Sequence, residues 1–212
     1  MSADGLMNLL AARRSVRRFK PDPVAEADLS RLIEAATLAP SASNKQPWRF
    51  LVVTSRSTID AMADAVRSAV ERIALAVPKD SEAAFRAYGD YFTRFSGAPA
   101  VIVPICRGPT ILSHLASGDL GEGDRARIAA MESQSALIGA SLALENLLLM
   151  AHAMGLGASG MTGPLVADDR LRTLLEVPAS WTIVALVPIG HPDEDPTPKD
   201  RKPAEKVTRW IR

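Results

Sequence analysis

One long apolar segment constrains this 212-residue chain more than any other feature. Residues 127–154 have the pattern of a single helix, and between 136 and 150 apolar side chains lie on nearly every side of it. At about 100° per residue, its large apolar residues spread widely round the helix axis: Leu137, Leu144, Leu147, Leu148 and Met150. A helix of this kind must be buried on most of its sides.

A partner subunit is one way to bury such a helix, because a chain of this size has little else to cover it. Left uncovered, the helix would present an apolar patch that is unusual on a monomer. Four polar residues interrupt the segment and argue against a membrane span: Ser141, Glu145, Asn146 and His152. We therefore expect a homodimer.

The composition is otherwise that of an ordinary globular protein, with 47% hydrophobic and 23% charged residues. A net charge of +1 gives no general attraction to nucleic acid or membranes. The first residues lack the pattern of a signal peptide, so we expect the protein in the cytoplasm. The single cysteine, Cys106, follows an apolar run and is expected to be buried and inert.

The remaining pattern predicts one α+β domain, spanning residues 1–212, in which helices flank a sheet. Shorter helices are predicted at 4–13, 24–38, 58–77, 81–95 and 168–175, and strands at 49–54, 100–106 and 181–189. Gly155 and Gly157 are expected to end the long helix. The glycine-containing stretch 107–124 is predicted to be a loop or lid, and it and 70–95 are the segments expected to vary with substrate.

A basic stretch follows the first helix: Arg13-Arg14-Ser15-Val16-Arg17-Arg18-Phe19. Guanidinium groups and a hydroxyl are the donors that a phosphate monoester needs. The alternative is a solvated basic edge without a ligand. A second basic pair in the tail, Lys199 and Arg201, could close on the same phosphate, unless the tail is simply solvated.

A loop rich in small polar groups joins the second helix to the first strand at residues 39–50. Its Asn44 and Gln46 each offer donors and an acceptor, as a flat heteroaromatic ring requires. Two prolines, Pro40 and Pro47, frame the loop and suggest a fixed shape. The alternative is a polar turn whose side chains satisfy their own backbone.

Four glycines lie within nine residues after the long helix, in Gly-Leu-Gly-Ala-Ser-Gly-Met-Thr-Gly at 155–163. They would let the backbone approach a flat ligand closely. The dinucleotide fingerprint G-x-G-x-x-G is not matched, because that motif opens a helix after a strand and this stretch follows a helix. A plain helix cap is the alternative.

These four stretches, in this order and at these separations, resemble the nitroreductase family of flavoproteins, over nearly the whole chain from Met7 to Trp210. The resemblance implies an α+β sandwich with a mostly antiparallel sheet flanked by helices. It also implies an intimate homodimer with two FMN sites at the dimer interface, each built from both subunits.

The resemblance further implies roles for individual residues. Arg13, Arg14 and Ser15 match the motif that holds the FMN phosphate and ribityl chain, and Lys199 and Arg201 match tail cations near the phosphate. Pro40, Ser41 and Asn44 match the loop that the other subunit lays against the flavin, and Gln46 belongs to the same motif. Ser159 and Gly160 match the stretch whose backbone lies near the flavin nitrogen that takes hydride. Ser159 stands where many members carry an acidic residue, and Tyr91 and Arg94 are candidates for polar contacts to the ring.

The implied function is FMN-dependent reduction of electron-poor acceptors, such as nitroaromatics or quinones, by ping-pong hydride transfer from NADH or NADPH. The cofactor would carry that chemistry, and the scattered histidines His114, His152 and His191 suggest neither a nucleophile–base pair nor a metal site. Two alternatives stay open. One is a specialised flavoenzyme, such as a reductive dehalogenase, a flavin-fragmenting enzyme or an enone reductase. The other is a flavin-binding protein without turnover.

Overall fold

A five-stranded sheet lies at the centre of the computed structural model, which describes residues 2–116, 118 and 120–212. The strands are β1 (Trp48–Val53), β2 (Ala100–Cys106), β3 (Gly157–Ala158), β4 (Thr182–Ile183) and β5 (Val187–Gly190). Four of them run in the order β1-β2-β5-β3, and β4 also pairs with β2. All these pairings are antiparallel.

Helices cover both faces of the sheet. In chain order, the helices of the described residues are α1 (Ala3–Ala12), α2 (Glu26–Thr37), α3 (Arg56–Ala74), α4 (Lys79–Gly89), α5 (Leu112–Leu115), α6 (Glu122–Ala153), α7 (Asp168–Leu174) and α8 (Ala204–Val207). Three 3₁₀ helices span Ala42–Asn44, Asp90–Gly97 and Gly163–Ala167.

Alternate residues of β2 enter two separate cores, as the two-residue period of a strand requires. Ala100 and Ile102 pack in the core formed with α2 and α6, while Val101, Val103 and Ile105 pack in the core formed with α3 and α7. Every residue of β2 is buried, which explains its nearly continuous apolar sequence. The α+β sandwich expected from the sequence is confirmed.

The long helix α6 has two different apolar faces. The inner face is made mostly of small residues that pack against α2 and the sheet: Ala136, Ala140, Ala143, Leu147 and Ala151. The outer face stays open to solvent in a single chain, with side chains about half exposed: Met131, Leu137, Ile138 and Leu142. By length and composition alone α6 could cross a membrane, but a core helix passes the same test, and the inner face of α6 lies in the core.

The strand predicted at 181–189 is wrong as one continuous element, because it divides into β4 and β5. Ile183 pairs with Ile105 and Val187 pairs with Ile102, so three intervening residues face only two residues of β2. One of those two is Pro104, which has no N–H to donate to the ladder. The extra residue forms a bulge there, and Leu186 instead exchanges two backbone hydrogen bonds of 2.9 Å with Met161.

Two smaller expectations also need correction. The helix predicted at 81–95 stops at Gly89, which lies too close to Val70 to carry a side chain, and continues as the 3₁₀ helix Asp90–Gly97. Gly155 ends α6 with a φ of 74°, but Gly157 begins β3 instead of capping the helix.

The stretch 107–124 is not simply a loop. It contains α5 and the first turn of α6, while Ser117 and Asp119 lie outside the described residues. Helix α6 begins at Glu122, five residues earlier than predicted, because the acidic Glu122 and Asp124 favour a helix N-terminus more than the nearby glycines oppose it.

A buried carboxylate attaches α5 to α6. Glu132 of α6 accepts hydrogen bonds from the backbone N–H groups of Leu112 at 2.7 Å and Ser113 at 3.4 Å, and from the Ser113 hydroxyl. The Ser113 hydroxyl and these N–H groups hold the pKa of Glu132 below its ordinary value, although burial acts in the opposite direction. The short helix is therefore fixed by one ionised side chain.

Acidification is expected to loosen α5 from α6. The pKa of Glu132 is lower in the folded protein than in the unfolded chain. Its contacts therefore stabilise the fold at pH values above the ordinary pKa of a glutamate, and this stabilisation is lost as the pH falls through the lowered pKa. The amide resonance of Leu112 in ¹⁵N NMR should follow this titration. Glu132→Gln should abolish the change, and Glu122→Gln, exposed on the same helix, should leave it intact. A Leu112 resonance that stays constant until the protein unfolds would contradict the assignment.

Candidate functional site

The basic stretch after α1 is held against the sheet by β3. Helix α1 ends at Ala12, and the chain continues in extended form until Val16 donates its N–H to the carbonyl of Ala158 at 3.0 Å. Ser15 forms a parallel bridge with Ala158. The absence of a side chain at Gly157 permits this approach, because a Cβ there would lie 2.7 Å from Val16 Cγ1.

The tail is fastened beside the same stretch. The Lys20 N–H donates to the His191 carbonyl at 2.9 Å, and the Asp193 N–H donates to the Arg18 carbonyl at 3.0 Å. The carboxylate of Glu194 accepts the N–H groups of Arg17 at 2.5 Å and Arg18 at 3.0 Å. These bonds direct the following residues of the tail back over the end of α1.

A cationic cavity of about 510 Å³ results. Five of the residues predicted from the sequence line it together: Arg13, Arg14, Ser15, Lys199 and Arg201. Arg17 lines it too, and no carboxylate from the described part of the chain does. Glu145 reaches within 3.9 Å of Arg13 Nε but is half exposed, so the pair is well screened by water. Gathering this many cations favours an anionic ligand, and the volume is that of a typical small-molecule site, about 300–1,000 Å³.

An unpaired polar atom lies one residue beyond the strand that holds Ser15. Ser159 is only 1% exposed, and its Oγ has no hydrogen-bond partner among the described residues. Such a buried group requires an explanation, because most are satisfied. The next residue, Gly160, is exposed and has no side chain to obstruct a flat ligand. Arginine donors, an orphan hydroxyl and an open glycine together fit a phosphate-bearing flat heteroaromatic molecule.

The loop after α2 has a strained backbone. Ser43, Asn44 and Gln46 have φ values of 51°, 52° and 46°, in the left-handed region that non-glycine residues seldom occupy. Ser41 Oγ accepts the Gln46 N–H at 2.9 Å, and Gln46 Nε2 donates to Asn44 Oδ1 at 3.3 Å. Strain of this kind persists only where the surroundings enforce it, and it is concentrated at ligand sites.

Helix α6 supports this loop from below. Asn146 Nδ2 donates to the carbonyl of Ala35 at 3.2 Å, near the end of α2. Gly139 lies directly under the loop, where an added Cβ would contact Pro47, Ser41 and Trp48 at 3.6 Å. The loop is therefore fixed relative to the outer face of α6.

Within one chain, the loop does not meet the arginine cavity. Pro40 and Ser41 line a separate cavity of about 340 Å³ along the outer face of α6. Gln46 lines a third cavity of about 900 Å³, and Asn44 is exposed. The expectation that another subunit supplies these residues to the site stays a prediction, and the loop does adjoin the uncovered apolar face that such a subunit would bury.

The two ring-contact candidates touch each other. The Arg94 guanidinium carbon lies 3.9 Å from the centre of the Tyr91 ring, and Arg94 lines a cavity of about 470 Å³ with Arg17 and Arg18.

Glu194, which organises the basic stretch, was missed by the sequence analysis because a lone acidic residue in a charged tail carries no distinctive signal. Cys106 is buried, as expected, and burial raises the pKa of its thiol.

Comparison with known proteins extends over nearly the whole chain. A family model described as the nitroreductase family matches residues 10–191. The chain is 33% identical over 201 residues to an NADH dehydrogenase from Thermus thermophilus, covering 93% of this chain and 92% of that protein. It is 30% identical over 201 residues to a 5,6-dimethylbenzimidazole synthase from Rhodospirillum rubrum, covering 92% and 86%. A BluB-like flavoprotein from Clostridium difficile shares the fold, with a TM-score of 0.84, 24% identity and coverage of 98% and 99%.

A side chain at Gly157 should separate Ser15 from β3. In Gly157→Ala the new Cβ would overlap Val16, so one of the two segments must shift. We expect a loss of about 1–3 kcal/mol in the free energy of unfolding, as for other overpacked sites, measured by urea denaturation at a fixed protein concentration. Gly123→Ala is the matched control, because its Cβ meets nothing within 4 Å. Equal stability of the two variants would refute this account of the packing.

Proposed function

The chain belongs to the nitroreductase family, and on that premise we propose that it is an FMN-dependent oxidoreductase. It would use NADH or NADPH to reduce electron-poor acceptors, such as nitroaromatics or quinones. The observation that carries the proposal is the cationic cavity, together with the unpaired Ser159 hydroxyl one residue beyond the strand that holds Ser15. Both the charge and the orphan donor are costly without a ligand, and a flavin mononucleotide accounts for both.

The cavity suits the phosphate end of FMN. Arg13, Arg14, Lys199 and Arg201 would supply charge-assisted hydrogen bonds, and Ser15 would add a neutral one. A single terminal phosphate fits this cluster better than the pyrophosphate of FAD, because the chain lacks a dinucleotide fingerprint.

The ring would lie beside the glycine-rich stretch. The unpaired Ser159 Oγ would hydrogen-bond to it, and the exposed Gly160 would leave one side open for a second planar molecule. FMN, when bound, supplies a hydride acceptor that the reductant and the oxidising substrate can reach in turn. The protein's own part is to hold the phosphate, orient the ring and admit both partners to the same place.

We also propose that the active form is a homodimer with two composite sites. Three observations support it: the outer face of α6 is apolar and uncovered, the strained loop adjoins that face, and Trp210 and Ile211 in the tail are 79% and 90% exposed. A second copy would cover the helix face and bring its own Pro40, Ser41 and Asn44 towards the cavity that contains Arg13.

A specialised flavoenzyme is the second candidate. It is favoured by the 30% identity to a 5,6-dimethylbenzimidazole synthase. In that case the same cavity would hold a flavin that is consumed by the reaction. The two candidates differ in what remains after turnover, since a reductase keeps its FMN and a flavin-fragmenting enzyme does not.

The purified protein is expected to be yellow, with FMN released on denaturation. Anaerobic NADH or NADPH should bleach the flavin absorbance, and a nitroaromatic or quinone should restore it with the FMN content unchanged by chromatography. Extraction of FAD, or no flavin uptake after reconstitution, would contradict the cofactor assignment. If the flavin absorbance persists with both reductants, the protein binds flavin without turnover. If FMN is lost when the reduced protein is exposed to air, the second candidate is favoured.

Composite sites are expected to show complementation between two damaged subunits. Arg13→Ala and Asn44→Ala should each weaken FMN binding about tenfold to a hundredfold, the loss expected for charged or buried hydrogen bonds. If each site takes Arg13 from one chain and Asn44 from the other, a heterodimer of the two variants contains one intact site. It should bind half a mole of FMN per mole of chain with wild-type affinity.

The matched control pairs Arg13→Ala with Lys199→Ala. Both residues line the same cavity of one chain, so their heterodimer has no intact site and should not recover. Differently tagged subunits, refolded together and purified through both tags, isolate the heterodimers. Equal recovery in both pairings, or none in either, would argue against composite sites, as would a monomer by light scattering at micromolar concentration.

A further inference from the structure

A second cavity lies outside the cluster of Arg13 and Lys199. It encloses about 900 Å³ where β1 and β4 begin and β2 ends, beneath the segment that contains α5. It shares no lining residue with the arginine cavity. Its polar lining residues include Lys45, Gln46, Arg49, Arg107, His114 and Ser180.

The charge of this cavity is one-sided. Lys45, Arg49 and Arg107 line it, and none of the described residues that line it is an aspartate or glutamate. Across residues 2–116, 118 and 120–212, neither arginine forms a salt bridge. Cations gathered in a concave surface concentrate positive potential there and attract an anion.

The two arginines are held in place by an indole ring. Both guanidinium carbons lie 5.5 Å from the ring centre of Trp181, within the range of cation–π contact. The Arg49 guanidinium also donates to the Trp48 carbonyl at 2.7 Å, and the backbone N–H of Arg107 donates to the Pro47 carbonyl at 3.0 Å. The site is therefore prearranged before any ligand enters.

Most of the rest of the lining is apolar and suits a flat body. Pro47, Pro109, Ile111 and Leu115 surround the charged groups, and Trp181 itself is only half-buried. A ring that carries a carboxylate or phosphate would satisfy both parts of the cavity. A guanidinium pairs with either anion in the same bidentate way.

The cavity is continuous with the strained loop of the proposed flavin site. Lys45 and Gln46 line it, and they directly follow Asn44. We propose that this cavity binds the anionic end of a planar organic molecule that exchanges hydride at the flavin site which this loop would complete in the partner subunit. The proposal rests on the proposed function and adds the chemical class of the substrate: an aromatic acid as acceptor, or the phosphate-bearing adenosine of NADPH as reductant.

The test compares two acceptors that differ only in charge, 4-nitrobenzoate and 4-nitrobenzamide. Calorimetric titration of the oxidised, FMN-loaded protein without reductant measures their binding apart from turnover. The double substitution Arg49→Gln with Arg107→Gln should weaken 4-nitrobenzoate binding at least about tenfold, as for loss of charge-assisted hydrogen bonds, and leave 4-nitrobenzamide unchanged. Arg107→Lys, which keeps the charge, should retain part of the affinity. Arg67→Gln, an exposed arginine on α3, is the matched control.

Steady-state kinetics then separate the two sources of the anion. A rise in KM for 4-nitrobenzoate alone identifies the acceptor, and a rise in KM for NADPH but not for NADH identifies the reductant. Equal effects on charged and neutral ligands, or none on either in variants that retain FMN, would overturn the proposal. Because NADH-dependent reduction of 4-nitrobenzamide is measured in the same variants, a failure of the proposed function would be recognised separately.

Discussion

The burial of α6 is the constraint on which the rest of the structure depends. Its inner face is lined by alanines and Leu147, so α2 and the sheet can approach closely. Its outer face also carries large apolar side chains, which the described residues leave about half exposed. In a monomer, a 32-residue helix with two such faces would leave these side chains in water. The expectation of a second subunit thus follows from the helix itself, independently of any ligand.

The site elements are attached to this helix and to the sheet. The strained loop lies over Gly139, and Gly155 turns the chain from the end of α6 into β3, which holds Ser15. Glu194 performs the equivalent task for the tail by accepting two backbone N–H groups of the arginine stretch. The Glu194 carboxylate binds the backbone of this stretch and not its side chains in the cavity. The guanidinium groups that face the cavity are therefore left largely without acidic neighbours. That arrangement suits an anionic ligand more than it suits stability, since unpaired cations repel one another.

Much of the fold could be predicted because its signals are local and strong. The strand at 100–106 was predicted from its continuous apolar run, and the long helix from apolar residues on nearly every side. Arg13, Arg14 and Ser15 were grouped with Lys199 and Arg201 from the chemistry of their side chains and the family resemblance, and the structure brings the five to one cavity. The bulge opposite Pro104 was not predictable, since the pattern of β4 and β5 is unbroken and the interruption comes from the partner strand. Glu132 and Glu194 were not predicted either. Each accepts hydrogen bonds from backbone N–H groups far away in sequence, and neither spacing nor composition marks such a residue.

The chain forms two cationic cavities, and the fold keeps their positive charges apart by distance. The first gathers its cations at the end of α1 and under the tail, and the second gathers them round Trp181 at the opposite end of β1 and β2. With a net charge of only +1, the acidic residues that balance them must lie elsewhere on the surface. The potential is therefore local, and each cavity favours its own anion without making the whole protein basic. The loop 40–46 lies beside the second cavity, and we propose that it faces the first cavity of another subunit. One rigid segment would then fix the position of the substrate anion relative to the cofactor phosphate.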